Sequence, residues 1–401
     1  MCDTLCAPGR RGMVFAKNSD RPPGEVQIAW PFGRRASAGC TLRTQYLSIG
    51  DAGAHAAFLS CPTWLWGAEH GVNEHGVAIG NERVGTIHDA KSAMPALIGM
   101  DLVRLGLERA RTAAEAVDVI TGLLETCGQG GIADAAHQVA YDSSFLIADP
   151  SQAFVLETAG SDYAVAAFPA GVAVSNRIML GTEWTRASAG LAAGDDFDRF
   201  RDPGEDTVSA DARLAASRRF LASTASGGLT PAITAAHLRD HGTGPWGAPG
   251  IDGPVHVPPA REGPDGRGVS VCMHGRSVTA ASMIAELAPG LAEGAPLRVF
   301  VAAGSPCASI YVPAFPRTAA GPPPFVPLEL SAEELWHAAD ALRQLVEADP
   351  DALPVLRETL KPVEDELWAE ADDVFEYPDR WADVGGSWGS RALAALRSCI
   401  P

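Results

Sequence analysis

Basic residues are scarce in this 401-residue sequence, and their scarcity excludes a whole class of partner. Lysine and arginine together number 31 against 49 aspartates and glutamates, which gives a formal net charge of −18 at pH 7. A surface of this sign repels phosphate backbones, so we predict no nucleic-acid partner. The same acidity is typical of a soluble, self-repelling surface.

Long apolar runs are also missing. No stretch approaches the ~20 apolar residues that a membrane-spanning helix needs, so we predict no membrane partner. The first apolar run is interrupted by Pro8, Gly9 and two arginines, which does not fit a signal peptide. From these two observations we expect a cytoplasmic protein.

The sequence lacks clustered cysteines and a nucleotide-binding glycine motif. Its eight cysteines are spread over the whole length, so in a reducing compartment we expect free thiols instead of disulfides. The glycines at 128, 130 and 131 follow a predicted helix and do not open one. A phosphate cradle is therefore not expected there.

Two pairs of possible metal ligands are present, but neither forms a complete motif. His237 and His241 have the i, i+4 spacing that suits zinc on a helix, yet Leu238 stands where the zinc-protease motif needs glutamate. Cys272 and His274 alternate within a predicted strand, and no second pair lies in register nearby. We therefore predict no metal and no other cofactor.

The order of the predicted elements indicates an α+β protein, because patterns of period 2 and period 3.6 alternate in blocks. With 46% hydrophobic residues, the chain can bury a large core. Strands are predicted at 3–6, 12–16, 42–49, 55–60, 76–83, 138–147, 153–157, 163–168, 172–175, 268–273, 279–287 and 297–301. Helices are predicted at 97–110, 112–127, 211–223, 231–240, 331–347 and 352–371. Residues 22–38 are predicted to form a loop.

Cys2 follows the initiator methionine, and this position has chemical consequences. Methionine is generally removed when the next side chain is small, so we expect a mature chain that begins at Cys2. One residue would then carry a thiol and a free α-amine, whose ordinary pKa values are ~8.5 and ~7.7–8.0. Together they can act as nucleophile and base. A free cysteine is also often just a small buried side chain.

The residues after Cys2 predict a hairpin that brings polar partners to it. A strand at 3–6, a turn rich in Pro and Gly, and a return strand to Ala16 would place Lys17 and Asp20 beside Cys2. Asp20 could orient the α-ammonium, and Lys17 could favour the thiolate through its positive charge. A solvated turn pair explains the same spacing equally well.

Several ordered stretches between residue 2 and about residue 315 carry a family resemblance. They include Cys2-Asp3-Thr4, Lys17-Asn18-Ser19-Asp20-Arg21-Pro22, Trp64-Leu65-Trp66-Gly67-Ala68-Glu69, Asn73-Glu74-His75-Gly76, Leu156-Glu157-Thr158 and Thr279-Ala280-Ala281-Ser282-Met283. In this order they resemble the secernins and the related cysteine dipeptidases, which are N-terminal-nucleophile hydrolases. The resemblance implies a four-layer αββα sandwich over residues 1–315. Residues 316–401 would form a Pro-rich linker and a helical C-terminal extension.

The resemblance also implies catalytic roles. Cys2 would be the nucleophile, with Asp20 as the orienting carboxylate and Lys17 as electrostatic support. In the wider set of cysteine N-terminal-nucleophile hydrolases, which includes bile-salt hydrolases and penicillin acylases, two asparagines donate to the oxyanion. Asn81 and Asn176 match those positions.

One further catalytic position is implied in the same way. Arg218, in the pair Ser217-Arg218, matches an arginine that those enzymes carry at a helix start. Trp64, Trp66 and Asn73 are candidates for substrate binding, although packing explains the two tryptophans equally well.

Taken together, the sequence predicts a cysteine hydrolase that cleaves C–N amide bonds through a thioester on Cys2, with a dipeptide as the first substrate to test. An amidase or acyltransferase acting on a non-peptide acyl amide is an alternative, and so is a non-catalytic, secernin-like binding protein. The substrate would be a small peptide or acyl amide. The acidic C-terminal helices could pack on the hydrolase or on another subunit, which leaves a homo-oligomer open.

Overall fold

The computed structural model describes residues 2–37, 39–88, 94–205, 207–241, 270–275, 277–289, 297–315, 329–377 and 387–400. These residues form strands and seven α-helices. The strands are β1 (Cys2–Gly9), β2 (Gly12–Arg21), β3 (Gln27–Phe32), β4 (Thr41–Arg43), β5 (Ser48–Gly50), β6 (Ala57–Pro62), β7 (His70–Asn73), β8 (Ala78–Val84), β9 (Asp142–Ala148), β10 (Ala153–Ala159), β11 (Asp162–Ala167), β12 (Val172–Ser175), β13 (Arg186–Ala187), β14 (Val278–Leu287), β15 (Arg298–Ala303) and β16 (Val312–Ala314). The helices are α1 (Gly99–Arg109), α2 (Ala113–Cys127), α3 (Val208–Thr224), α4 (Pro231–Leu238), α5 (Glu329–Ala348), α6 (Ala352–Glu376) and α7 (Trp388–Ser398).

Two antiparallel sheets form the centre of the molecule. The six-stranded sheet has the order β12-β1-β2-β14-β15-β16, and the eight-stranded sheet has the order β13-β11-β10-β9-β8-β7-β6-β3. Their facing surfaces bury one apolar cluster, to which Phe15 and Met283 contribute from the first sheet and Phe58 and Leu146 from the second. Burial of this apolar surface is the main force that holds the two sheets together.

Helices cover the outer face of each sheet. The helices α1 and α2 pack on the eight-stranded sheet, and α3 and α4 pack on the six-stranded sheet. The hydroxyl of Thr112 accepts from the backbone N–H of Glu115 at 3.1 Å and so caps α2, as the sequence predicts. The result is the predicted α+β, four-layer αββα sandwich.

The three C-terminal helices pack beside the first sheet. They share an apolar cluster with β16 and with a 3-10 turn at Pro306–Ala308. Buried Glu364 of α6 accepts from Arg239 at 2.6 Å and from the backbone N–H of Tyr311 at 2.7 Å. Within the described part of the chain, no helix is both long and apolar enough to cross a bilayer.

Three predicted segments differ from the structure. Residues 22–38, predicted as a loop, contain β3, which pairs with β6 in the second sheet. The single strand predicted at 42–49 is a small hairpin of β4 and β5, because the chain turns between them. Residues 270–273 are not a strand, while 268 and 269 lie outside the described residues, as does the Pro-rich linker at 319–324.

Candidate active site

The hairpin of β1 and β2 places Cys2 at the end of the first sheet. Cys2 lies opposite Ser19, and Thr4 lies opposite Lys17. The Sγ of Cys2 accepts a long hydrogen bond from the backbone N–H of Asp20, at 3.5 Å. Only 5% of Cys2 is exposed. Burial raises the pKa of its thiol, and the positive charge of Lys17 opposes that shift.

Asn176 holds the backbone nitrogen of Cys2. This nitrogen donates to Oδ1 of Asn176 at 2.6 Å, and the same oxygen accepts from Nη2 of Arg213 at 2.8 Å. Two donors at Oδ1 fix the orientation of the amide, so Nδ2 faces the other way and donates to the carbonyl of Arg83 at 3.1 Å. Nδ2 carries a second hydrogen, which can serve a ligand beside Cys2.

Asp20 is buried among fixed donors. Thr279 Oγ1 donates to its Oδ1 at 2.7 Å, and Nη1 of Arg213 lies 3.4 Å from its Oδ2. Burial raises the pKa of the Asp20 carboxyl, and the charge of Arg213 opposes the shift. Arg213 also lies 3.4 Å from the carboxylate of Asp3 and is fully buried. One guanidinium thus bridges two carboxylates and the amide that holds Cys2.

Lys17 lies between the two sheets. Its Nζ donates to the carbonyl of Asn81 at 2.7 Å and to Oε1 of Glu82 at 3.0 Å, with both ionic side chains fully buried. Burial disfavours the ammonium, but the negative charge available on Cys2 and Glu82 outweighs it and raises the pKa of Lys17. A Cβ at Gly80 would lie 2.7 Å from Cδ of Lys17, so the glycine makes room for the lysine.

The side-chain amide of Asn81 is hydrogen-bonded to Glu69 and not to Cys2. In the amide orientation that satisfies its hydrogen bonds, Nδ2 donates to Oε2 and to the backbone carbonyl of Glu69, each at 3.0 Å. Its backbone N–H also donates to that carbonyl, at 3.2 Å. Because Glu69 accepts all three bonds, the amide of Asn81 has little left to offer an oxyanion, although the carbonyl of Asn81 accepts from Lys17.

A cavity of about 260 Å³ opens in front of Cys2. Ten of its twelve lining residues are polar or charged, and the remaining two are Pro22 and Val139. The lining includes both charges. The cationic residues are Arg21 and Arg83, the anionic ones are Asp20, Glu69 and Asp134, and the neutral polar ones include Tyr141 and Asn176. A cavity that carries both charges suits a small zwitterionic ligand better than a long apolar chain.

The structure corrects one predicted catalytic residue. Arg218 is exposed on α3, and Arg213 of the same helix occupies the buried site. The buried positions of α3 include Ala210, Arg213, Leu214 and Ser217, which follow the i, i+3, i+4, i+7 pattern of one helix face. Burial in the fold therefore selects Arg213, and the position of the Ser-Arg pair in the sequence does not.

The three predicted substrate-binding residues do not line the cavity. Trp64 packs on the cluster that contains Met100, and Trp66 stacks under Arg104, whose guanidinium carbon lies 4.3 Å from a ring centroid of the indole. Asn73 is fully buried, where its amide donates to the carbonyls of Leu107 and Ala110. All three therefore support the fold, and Asn73 ties the end of β7 to α1.

No family model matches the chain. Several solved structures are similar to it at low identity, and three of them are described below. The penicillin V acylase of Agrobacterium tumefaciens is 14% identical over 79% of this chain and 85% of its own, with a TM-score of 0.41. A mutant of the conjugated bile acid hydrolase of Clostridium perfringens is 10% identical over 75% and 88%, with a TM-score of 0.45. An N-acylethanolamine-hydrolyzing acid amidase ortholog of Caenorhabditis elegans is 12% identical over 44% and 71%, with a TM-score of 0.30.

Proposed function

We propose that this protein is a cysteine N-terminal-nucleophile hydrolase that cleaves amide bonds of small peptides after Met1 has been removed. The observation that carries the proposal is the double use of Cys2, whose sulfur and backbone nitrogen are both held in one polar cavity. Once Met1 is gone, that nitrogen is an amine, and nucleophile and base belong to one residue.

The reaction begins with a proton transfer within Cys2. The neutral α-amine takes the proton of the thiol, and the thiolate attacks the carbonyl carbon of the substrate. Because burial keeps the thiol protonated at rest, the adjacent base is needed, and the charge of Lys17 helps the thiolate to form. We assign the orienting of the resulting α-ammonium to the carboxylate of Asp20, whose backbone N–H donates to the sulfur.

The carbonyl oxygen becomes an oxyanion that needs donors. The second hydrogen of Asn176 Nδ2 is one, and the hydroxyl of Tyr141 in the same cavity is another, since its contact at 3.5 Å is only the weak acceptor Sδ of Met100. Each such donor is usually worth ~2.7–4 kcal/mol in the transition state. The intermediate collapses as the α-ammonium protonates the leaving amine, and water then opens the thioester.

The cavity supports a dipeptide as substrate. A dipeptide carries an ammonium and a carboxylate at its two ends. The cavity is lined by the carboxylates of Glu69 and Asp134 and by the half-exposed guanidinium of Arg83, which pair with Arg21, His137 and Glu205 respectively. This charge pattern, together with the resemblance of the motifs to cysteine dipeptidases, favours the peptide over a non-peptide amide.

A substrate panel tests the proposal. Wild-type protein and Cys2→Ala are compared on dipeptides and on amides with uncharged acyl groups, and Cys61→Ala, which changes a buried cysteine outside the cavity, is the control. We expect wild type and the control to hydrolyse dipeptides and Cys2→Ala to be inactive. Equal turnover by Cys2→Ala would overturn the proposal, and transfer of the acyl group to an added amine would identify an acyltransferase.

A further inference from the structure

Two histidines and two cysteines from distant parts of the sequence meet in the core, away from the cavity. They are His241, just after α4, Cys272 and His274, just before β14, and Cys307, in the 3-10 turn after β15. All four are buried, and their ligand atoms lie within 4.8 Å of one another. The sequence shows no second pair of ligands near Cys272 and His274, but the fold brings His241 and Cys307 to them.

The distances between these atoms match a tetrahedral metal site. Nε2 of His274 lies 3.3 Å from Nε2 of His241, 3.4 Å from Sγ of Cys307 and 3.7 Å from Sγ of Cys272. Zinc bonded at about 2.3 Å to sulfur and about 2.0–2.1 Å to nitrogen separates its ligand atoms by about 3.3–3.8 Å. The three distances from Nε2 of His274 lie in this range, and the other separations stay within 4.8 Å.

The surroundings of the cluster fit a bound cation as well. Nδ1 of His274 lies 3.0 Å from Oε1 of Glu347 on α5, which leaves Nε2 to face the cluster. Zinc-bound histidines usually pair their second ring nitrogen with a carboxylate in this way. Cys272 and Cys307 belong to the apolar cluster of the C-terminal helices.

We propose that His241, Cys272, His274 and Cys307 bind one zinc ion as a closed structural site. Four protein ligands leave no open position for substrate, which distinguishes a structural zinc from a catalytic one. The ion would tie the end of α4, the start of β14, the turn after β15 and, through Glu347, the helix α5. It would thus join the sandwich to its C-terminal helices.

The proposed zinc site is also connected to the catalytic carboxylate. The backbone N–H of Met273, between two of the ligands, donates to Oγ1 of Thr279 at 3.0 Å, and Thr279 donates to Asp20 at 2.7 Å. Loss of the metal should therefore loosen Asp20 in addition to lowering stability. Zinc binding itself is independent of the proposed hydrolase activity, because its readout is metal content.

Elemental analysis of the full-length protein, purified without a metal-affinity tag, tests the proposal. We expect about one zinc ion per chain in the wild type and a loss of most of it in Cys307→Ser and His274→Gln. Two matched controls should keep the metal. Cys61→Ser changes another buried cysteine, and His55→Gln disrupts the group of His55, Glu74 and His75, which is the other possible ligand cluster among the described residues.

Two measurements on the wild-type protein test the site even if the variants do not fold. Removal of zinc by a chelator should lower its Tm, and Co²⁺ added in its place should give the thiolate-to-cobalt charge-transfer absorption of a two-sulfur site. His241→Cys should still bind Co²⁺ and strengthen that absorption, because it adds a third thiolate. Three results would overturn the proposal: no stoichiometric zinc even after incubation with Zn²⁺, full retention of zinc by Cys307→Ser, or a disulfide between Cys272 and Cys307 in the native protein.

Discussion

At the scale of single residues, the site depends on side chains that orient one another. Arg213 contacts the amide of Asn176, which accepts from the backbone nitrogen of Cys2. It also contacts the carboxylate of Asp20, whose backbone N–H donates to the sulfur of Cys2. Cys2, Lys17 and Asp20 could be proposed from the sequence because a hairpin brings neighbours in sequence together. Arg213 and Tyr141 come from distant elements, so only the fold shows where their side chains point.

The two arginines of α3 provide a matched test. Arg213→Lys keeps the charge but loses the planar fork that reaches Asn176 and Asp20 together, so we expect kcat to fall by about 10²-fold or more with a smaller change in KM. Exposed Arg218→Lys should leave both constants near wild type. Steady-state kinetics with a dipeptide measure the difference. Equal losses in the two variants would show that Arg213 does not position the site.

At the scale of elements, periodicity predicted most helices and strands, whereas the sequence did not show which strands pair beyond the first hairpin. The bounds predicted for β12 agree with the structure, and those for α1 and α2 differ by at most two residues at either end. The strand β3 was missed because Pro and Gly flank it and its side chains are only partly buried. The helix α7 was also missed, since a short amphipathic segment near the end of the chain has no cap to mark it.

Two glycines test how closely these elements pack. A Cβ at Gly67 would overlap the backbone of Met100 at the start of α1, so we expect Gly67→Ala to lower the free energy of unfolding by about 1–3 kcal/mol. Gly122 lies within α2 with nothing within 4 Å of its Cβ position. Gly122→Ala should therefore raise that free energy by about 0.5–1 kcal/mol. Urea denaturation measures both, and stabilisation by Gly67→Ala would contradict the packing described.

At the scale of the whole molecule, the core holds several carboxyl groups as well as apolar side chains. Burial raises the pKa values of Asp3, Asp101 and Glu157 to about 7 each. The net charge of −18 says nothing about which acids are buried, and their positions follow only from the packing of the two sheets. The four ligands of the proposed zinc site illustrate the same point, since they come from three separate parts of the chain.

Glu157 should make stability depend on pH. Its folded pKa of about 7 lies above the ordinary 4.5, so the folded state binds the proton more tightly. The stabilisation from that proton is complete below about pH 4.5 and is lost as pH rises through about 7, a change of about 3 kcal/mol for one fully buried group. Glu157→Gln should flatten this fall relative to wild type in urea titrations between about pH 5 and pH 8. If the free energy of unfolding of Glu157→Gln fell with pH as steeply as that of the wild type, the raised pKa of Glu157 would be refuted.

The most direct test of the central claim is to trap the acyl-enzyme and locate it. Wild-type protein is mixed with a dipeptide, quenched in acid within one turnover, and examined by intact and peptide mass spectrometry. We predict a chain that lacks Met1 and a thiol-labile adduct, equal in mass to the acyl half of the substrate, on the peptide that begins with Cys2. Turnover by a chain that retains Met1, or an adduct on any other residue, would contradict the proposed mechanism.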